Sequence, residues 1–395
     1  MTDSTLPCGY DRFHKWRQTL FLNPNESDAQ DRSEYFRTRS FLADKLAKVT
    51  RVSAGTDGEI MRDVIRTFQK QRFFQRYQPG QRMLLHILFA VVAARPDVGY
   101  CQGMNYVVAG LLLGRIPSSY TNITTITAVS DDANAIVLED EPEDMAPVSK
   151  DNDDASAGEK EGNEGEDGIP PAEPALAIVK AAVAVDSMPE ELMDDAEADV
   201  FLLMMEMLRP DSKLDMAGMW KERIPKLKLR IYQLDRLLRW TYPHLHAHFT
   251  AIELSPEVIT AQWFLTLFTY TFPVVPTVLE LWDYIFLTGW EGMFKVALSL
   301  LGSLQPKLLE LDDFESIVML MREWKREGKL IIEEPIHALL SRADKFIINK
   351  EVLDRLQESF ASEILSIALI RSQLLTTERE AQQQQQQQGS GGGSG

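Results

Sequence analysis

The chain has 395 residues, 45% of them apolar, with a formal net charge of −18, which suits one large or two ordinary soluble domains with a sizeable core. The acidity is local: residues 131–199 hold 23 acids against 3 bases, so the remaining residues carry a net of about +2, with no basic surplus of the kind that marks a nucleic-acid binder. Two cysteines without metal-ligand spacing, Cys8 and Cys101, and the lack of a charged leader ahead of an apolar segment fit a reducing, intracellular setting.

Residues 1–32 read as an N-terminal segment in which Pro7, Arg12, Trp16, Leu20 and Phe21 suggest an opening helix, interrupted at Asn23-Pro24-Asn25. From there to residue 116 the spacing predicts several helices. Tyr35, Phe36, Phe41, Leu42, Leu46 and Val49 form a short amphipathic pattern. In the next one Ile60, Val64 and Phe68 share a face while Asp63, Arg66 and Thr67 gather on another. A carboxylate so placed holds a guanidinium in position, and arginine, planar and permanently charged, suits charge building on a transferring phosphoryl group. An ordinary exposed ion pair is the alternative.

A helix over Gln81 to Ala94 carries Leu84, Ile87, Leu88, Val91 and Val92 and stops at Pro96; another over Gly103 to Leu113 carries Met104, Val107, Val108, Leu111 and Leu112. Between them lies the polar loop Gly99-Tyr100-Cys101-Gln102-Gly103-Met104-Asn105. Backbone N–H groups at a helix start favour anions, and a glutamine beside an anion can orient a water for attack on phosphorus. The plainer alternative is a tight turn whose glutamine satisfies buried backbone.

Residues 117–190 turn to Asp, Glu, Gly, Pro and Ala, a composition that cannot bury enough apolar surface to order itself, so a mostly disordered acidic insertion is expected; Ala175 to Val185 is an Ala/Val-rich stretch within it. Helical patterning resumes over residues 191–345. The methionines of Ala198 to Leu208 read as core filler, and Lys221 to Trp240 reads as an amphipathic helix with Leu227, Ile231, Leu234, Leu237 and Leu238 inward and its charges on a solvated face. His244, His246 and His248 lack the cysteine or nearby carboxylate that would complete a metal set and read as a helix start near the surface. Val258 to Leu279 holds no charge, but Gln262, Pro273 and Pro276 make it a core helix rather than a membrane span. Ile259, Gln262, Trp263, Thr266, Leu267 and Tyr270 mark its buried side. Helices are expected over Trp290 to Leu301, Phe314 to Arg326 and Leu353 to Leu375, the last within a helical segment 346–380; polyglutamine and a Gly/Ser linker occupy 381–395.

Three of these segments, in order, resemble the TBC domain, the catalytic domain of Rab GTPase-activating proteins. Ile60, Asp63, Arg66 and Thr67 are similar to the family's I-x-x-D-x-x-R-T pattern. Tyr100, Gln102, Gly103, Met104 and Asn105 match Y-x-Q-G-M-N, with Cys101 at the variable position. Ser255-Pro256 through Gln262-Trp263, followed by Pro273 and Trp282-Asp283, resembles the third. Ile65, Leu202 and Glu280 depart from the family, which often carries proline, tryptophan and arginine there. The resemblance implies an all-α TBC fold of two lobes with Arg66 as an arginine finger, Asp63 as its organiser and Gln102 as a glutamine finger. Gln262, Trp263, Trp282 and Asp283 are then candidate structural or partner contacts, Gln262 reaching the Gln102 loop. The implied partner is a GTP-bound Rab-type GTPase that brings its own GTP and magnesium, so the chain needs no cofactor or metal of its own. The implied setting is cytoplasmic, at endomembranes reached through partners in vesicle traffic. A Rab-binding scaffold without useful catalysis, and a helical adaptor acting through the acidic insertion, are the rival readings.

Overall fold

The computed structural model describes residues 9–20, 32–40, 55–76, 78–121, 188–272, 275–327 and 334–367, and among them there is helix and no strand. Most of the expected insertion (122–187), the outer part of the pattern around Phe41 to Val49, Pro273, the helix beyond residue 367 and the polyglutamine and linker lie outside the described residues.

The first half is built on α1 (Gly9–Leu20), α2 (32–40), α3 (Thr56–Arg66), a single 3₁₀ turn (Arg72–Phe74), α4 (Pro79–Ala94), α5 (Met104–Arg115), the short α6 (Ser118–Thr121) and α7 (Glu190–Met207). Apolar spacing decides which faces are covered. Phe13, Trp16 and Leu20 line one side of α1, and Ile60, Met61 and Val64 one side of α3. The helix α5 is apolar nearly all round and accordingly lies at the centre, against α1, α4 and α7. Its Gly110 and Gly114 admit the rings of Trp282 and Trp16, where a β-carbon would come within 2.6 Å.

The second half comprises α8 (Ala217–Trp220), α9 (Pro225–Thr241), α10 (Pro243–Ala251), α11 (Pro256–Leu265), α12 (Val275–Thr288), α13 (Trp290–Leu308), α14 (Phe314–Glu327), α15 (Ile336–Ala343) and α16 (350–367). Helices α4, α9, α10 and α11 each begin at a proline, whose missing N–H is lost where no intrahelical partner exists. Here α13 is the central member, packed on α9, α12 and α15. One apolar core runs through both groups, and each fully buried large apolar side chain contributes about 1.5–3 kcal/mol. The joint is α12 lying on α5 and on α1, and α1 packs on α5 and α7 at its other side. Asp283 of α12 fixes it, accepting hydrogen bonds from Trp16 Nε1 at 2.7 Å and Arg12 Nε at 3.2 Å.

The acids Asp194, Asp195, Glu197 and Asp199 lie on α7. Asp194 pairs with Arg39, Asp199 with Arg32 and Arg115 (2.7 Å), and Glu197 accepts from Tyr35 Oη at 2.6 Å and Arg39 at 3.0 Å. Two expectations change. The helix read through Tyr270 ends at Leu265, because Leu267 and Phe268 turn into the left-handed region (φ 48° and 66°). Arg230, assigned to a solvated face of α9, instead lies over the Trp290 ring at 4.1 Å, and burial pushes its pKa down to about 10.

Candidate functional site

Arg66 is the last residue of α3, half-buried, and the chain leaves the helix immediately after it. Thr67 is extended (φ −74°, ψ 120°) and Phe68 is left-handed at φ 48°. This abrupt exit is held from inside. Thr67, with no exposed surface, donates its hydroxyl to the Asp63 carbonyl at 2.6 Å, and the Phe68 ring meets Phe74 at 5.9 Å and Tyr106 at 5.5 Å.

Gln102 stands exposed on the turn between α4 and α5. The turn is defined by two glycines with positive φ, Gly99 at 72° and Gly103 at 111°. At Gly103 the requirement is double, because a β-carbon would also come within 3.2 Å of Thr266 Cγ2 and 3.4 Å of the Leu265 carbonyl oxygen. The N–H groups at this helix start are used internally. Gly103 N donates to Asn105 Oδ1 at 2.9 Å and Met104 N to the Cys101 carbonyl at 3.1 Å. The expectation of an anion seat on this backbone therefore gives way at those two groups, and the chemistry of the loop rests on its side chains.

Two hydrogen bonds tie the Arg66 and Gln102 segments together. Tyr100 Oη donates to Asp63 Oδ2 at 2.6 Å, and Asn105 Nδ2 donates to Thr67 Oγ1 at 2.8 Å. The first joins residues three before Arg66 and two before Gln102, the second residues one after Arg66 and three after Gln102. Asp63 is 8% exposed and Asn105 2%, so both bonds act where water competes little. Burial raises the pKa of Asp63, while the Tyr100 hydroxyl and the charges of Arg66 and Arg62 draw it back down. Burial, with the Asp63 carboxylate second, raises Tyr100 as well and pushes the Cys101 thiol up to about 11, which keeps it an unreactive neutral thiol.

The third expected segment lies behind the loop. Thr266 and Leu265 are what back Gly103; Gln262 is part-exposed and its carbonyl accepts the Thr266 hydroxyl at 2.7 Å. Trp263 and Trp282 are buried in the core, Trp282 donating to the Leu267 carbonyl at 2.8 Å, and Asp283 holds α1. Glu280, raised by burial, faces the positive charge of Arg12 in the same joint. Sequence reasoning missed two supports. Trp220 Nε1 donates to the Leu265 carbonyl at 3.0 Å, and Tyr106 stacks edge-on to Tyr270 at 5.3 Å, continuing the row from Phe68. Tyr106 follows the loop motif directly, so adjacency was the available signal; nothing local marks Trp220.

The histidines do not converge. His246 Nε2 meets Asp235 Oδ1 at 3.0 Å, a carboxylate one helix away that the sequence reading did not credit, and His248 Nε2 meets the Leu311 carbonyl at 3.0 Å. No group of three or more metal-ligating side chains occurs among the described residues. No helix among them is long and apolar enough to cross a membrane.

Against known proteins, the family model of the Rab-GTPase-TBC domain matches residues 12–143 and 174–309. TBC1 domain family member 4 of Mus musculus is 44% identical over 96 residues, 24% of this chain and 7% of that protein. GTPase-activating protein GYP5 of Eremothecium gossypii is 33% identical over 115 residues, 29% of this chain and 13% of that protein. Rab GTPase-activating protein eat-17 of Caenorhabditis elegans is 22% identical over 324 residues, 82% of this chain and 27% of that protein. These matches thus span less than a third of each relative's length. The crystal structure of the Ypt/Rab-GAP domain of Gyp1p superposes with a TM-score of 0.53 at 18% identity, covering 85% of this chain and 87% of that one, which establishes the shared fold.

Proposed function

The chain belongs to the Rab-GTPase-TBC domain family, and we propose that it accelerates GTP hydrolysis by a Rab-type small GTPase, with Arg66 and Gln102 supplied in trans. The observation that carries this reading is the pair of hydrogen bonds, Tyr100 to Asp63 and Asn105 to Thr67, that bracket both residues on joined segments. The Arg66 guanidinium neutralises charge building on the γ-phosphate, a contribution of about 10³–10⁵ in rate when an arginine is supplied in trans. The Gln102 carboxamide, exposed on its turn, orients the attacking water in place of the GTPase's own glutamine. Asp63 organises the arginine by its charge and is not a proton-transfer group. GTP and magnesium come with the partner, so the chain has no turnover of its own. The same reading places the protein in the cytoplasm, brought to endomembranes by its partners.

Single-turnover GTP hydrolysis across a panel of purified Rab proteins tests this. The expected result is acceleration of one or a few members, lost with Arg66→Ala. Stable binding of a GTP-loaded Rab without acceleration would replace the activator reading with a scaffold.

A further inference from the structure

Residues 64–96 contain Arg66, Lys70, Arg72, Arg76, Arg82 and Arg95 and no acidic residue. The structure gathers the first of these into one corner. Arg62 is exposed one turn before Arg66 on α3, Lys70 is exposed in the turn that follows, and Arg72 and Arg76 are exposed on and after the 3₁₀ turn. The contact of Phe68 with Phe74 folds the chain back, so the stretch bearing Arg72 and Arg76 lies beside the one bearing Arg66 and Lys70. The acids of α3 sit toward its other end, Asp57 and Glu59 in the first turn, with Asp63 turned inward to Tyr100. On the other flank of the Gln102 loop Asp97 is shared by Arg95 at 2.8 Å and Lys221 at 3.4 Å, two cations to one carboxylate. The side chains named here thus carry a surplus of cations beside both candidate residues, in a protein whose net charge is strongly negative.

We propose that the exposed cations of residues 62–76 form an electrostatic docking face for an acidic surface of the partner GTPase bordering its nucleotide. The proposal rests on the reading of Arg66 as the residue that meets that nucleotide. Whatever covers Arg66 also covers its neighbours Arg62, Lys70 and Arg72, which selects a protein surface over a membrane as the occupant. Opposed fields of this kind raise association rates by about 10–10³ and weaken as salt shortens their range. The face thus acts on encounter and leaves the chemical step to the two residues at its centre.

The test is the double variant Lys70→Glu, Arg72→Glu in the full chain, with a GTPase that the parent protein accelerates. Both residues are exposed, so melting temperature should match the parent. The expected result is kcat/KM lower by about tenfold or more at low salt, the gap closing at about 0.5 M salt, with kcat changed by less than about twofold. Equal kcat/KM at low salt would overturn the proposal, as would a matching fall in kcat, which would put these residues in the chemistry. A loss seen only on vesicles containing phosphatidylserine would assign the face to lipid. Recovery of the variant's deficit on deleting residues 131–170 would assign it to the chain's own acidic stretch. If the parent accelerates no GTPase, it is the underlying function that fails, a result distinct from all of these.

Discussion

Replacing Asn105 by alanine removes both bonds of the carboxamide, to Thr67 Oγ1 at 2.8 Å and from Gly103 N at 2.9 Å. Thr67 keeps its bond to the Asp63 carbonyl at 2.6 Å, so the larger cost falls on the buried Gly103 N–H, left without an acceptor. An orphaned buried donor costs about 1–3 kcal/mol and each lost bond about 1 kcal/mol. We expect a loss of about 2–4 kcal/mol, or about 5–10 °C in Tm at the scaling of larger domains. Thr67→Val removes the same cross-segment bond from the other side and should cost about 1–3 kcal/mol, while Thr67→Ser should keep most of it. Because both substitutions break one bond, the double variant should cost less than the sum of the singles by about 0.5–3 kcal/mol. Urea unfolding of the four proteins measures this directly. Additivity within about 0.3 kcal/mol would refute the coupling of the two segments through this bond.

Three further outcomes follow from the same geometry. Asp63 has a raised folded pKa, so its ionisation opposes folding: the parent should lose stability relative to Asp63→Asn as pH climbs from the ordinary carboxylate value of 3.8 through the raised one, whereas parallel pH profiles of the two proteins would contradict the assignment. Gly103→Ala should cost about 1–3 kcal/mol from its φ of 111° and should displace the loop from Thr266; an unchanged Tm with unchanged GTPase stimulation would count against the loop geometry. Asp283→Ala strips the acceptor from Trp16 Nε1 and Arg12, at about 1–3 kcal/mol for the orphaned donor, and should speed amide exchange in α1 selectively; unaltered exchange there would show that α1 is held by packing alone.

What could be read from the sequence was what repeats or punctuates locally. Apolar spacing placed α4, α5 and α9 to within a few residues, and Gly99 and Gly103 stood where the turn needs positive φ. Left-handed Phe68, Leu267 and Phe268 were not legible, because nothing in an aromatic or leucine side chain asks for that backbone; packing and the carbonyl contacts of Trp220 and Trp282 impose it. Nor did the helical patterning from residue 191 onward show what Asp194 and Glu197 bind. Their partners, Arg39 and Tyr35, stand more than 150 residues away, and only the tertiary fold makes them structural. Arg230 escaped for the related reason that a cation over an indole looks, along the chain, like any other outward arginine.

The measurement closest to the central claim uses a responsive Rab whose own catalytic glutamine has been replaced by alanine. If Gln102 orients the water in its stead, the unmodified chain should still accelerate hydrolysis by that Rab, and Gln102→Ala and Arg66→Ala should each abolish the effect. Hydrolysis that needs the Rab's glutamine and survives Gln102→Ala would contradict the account.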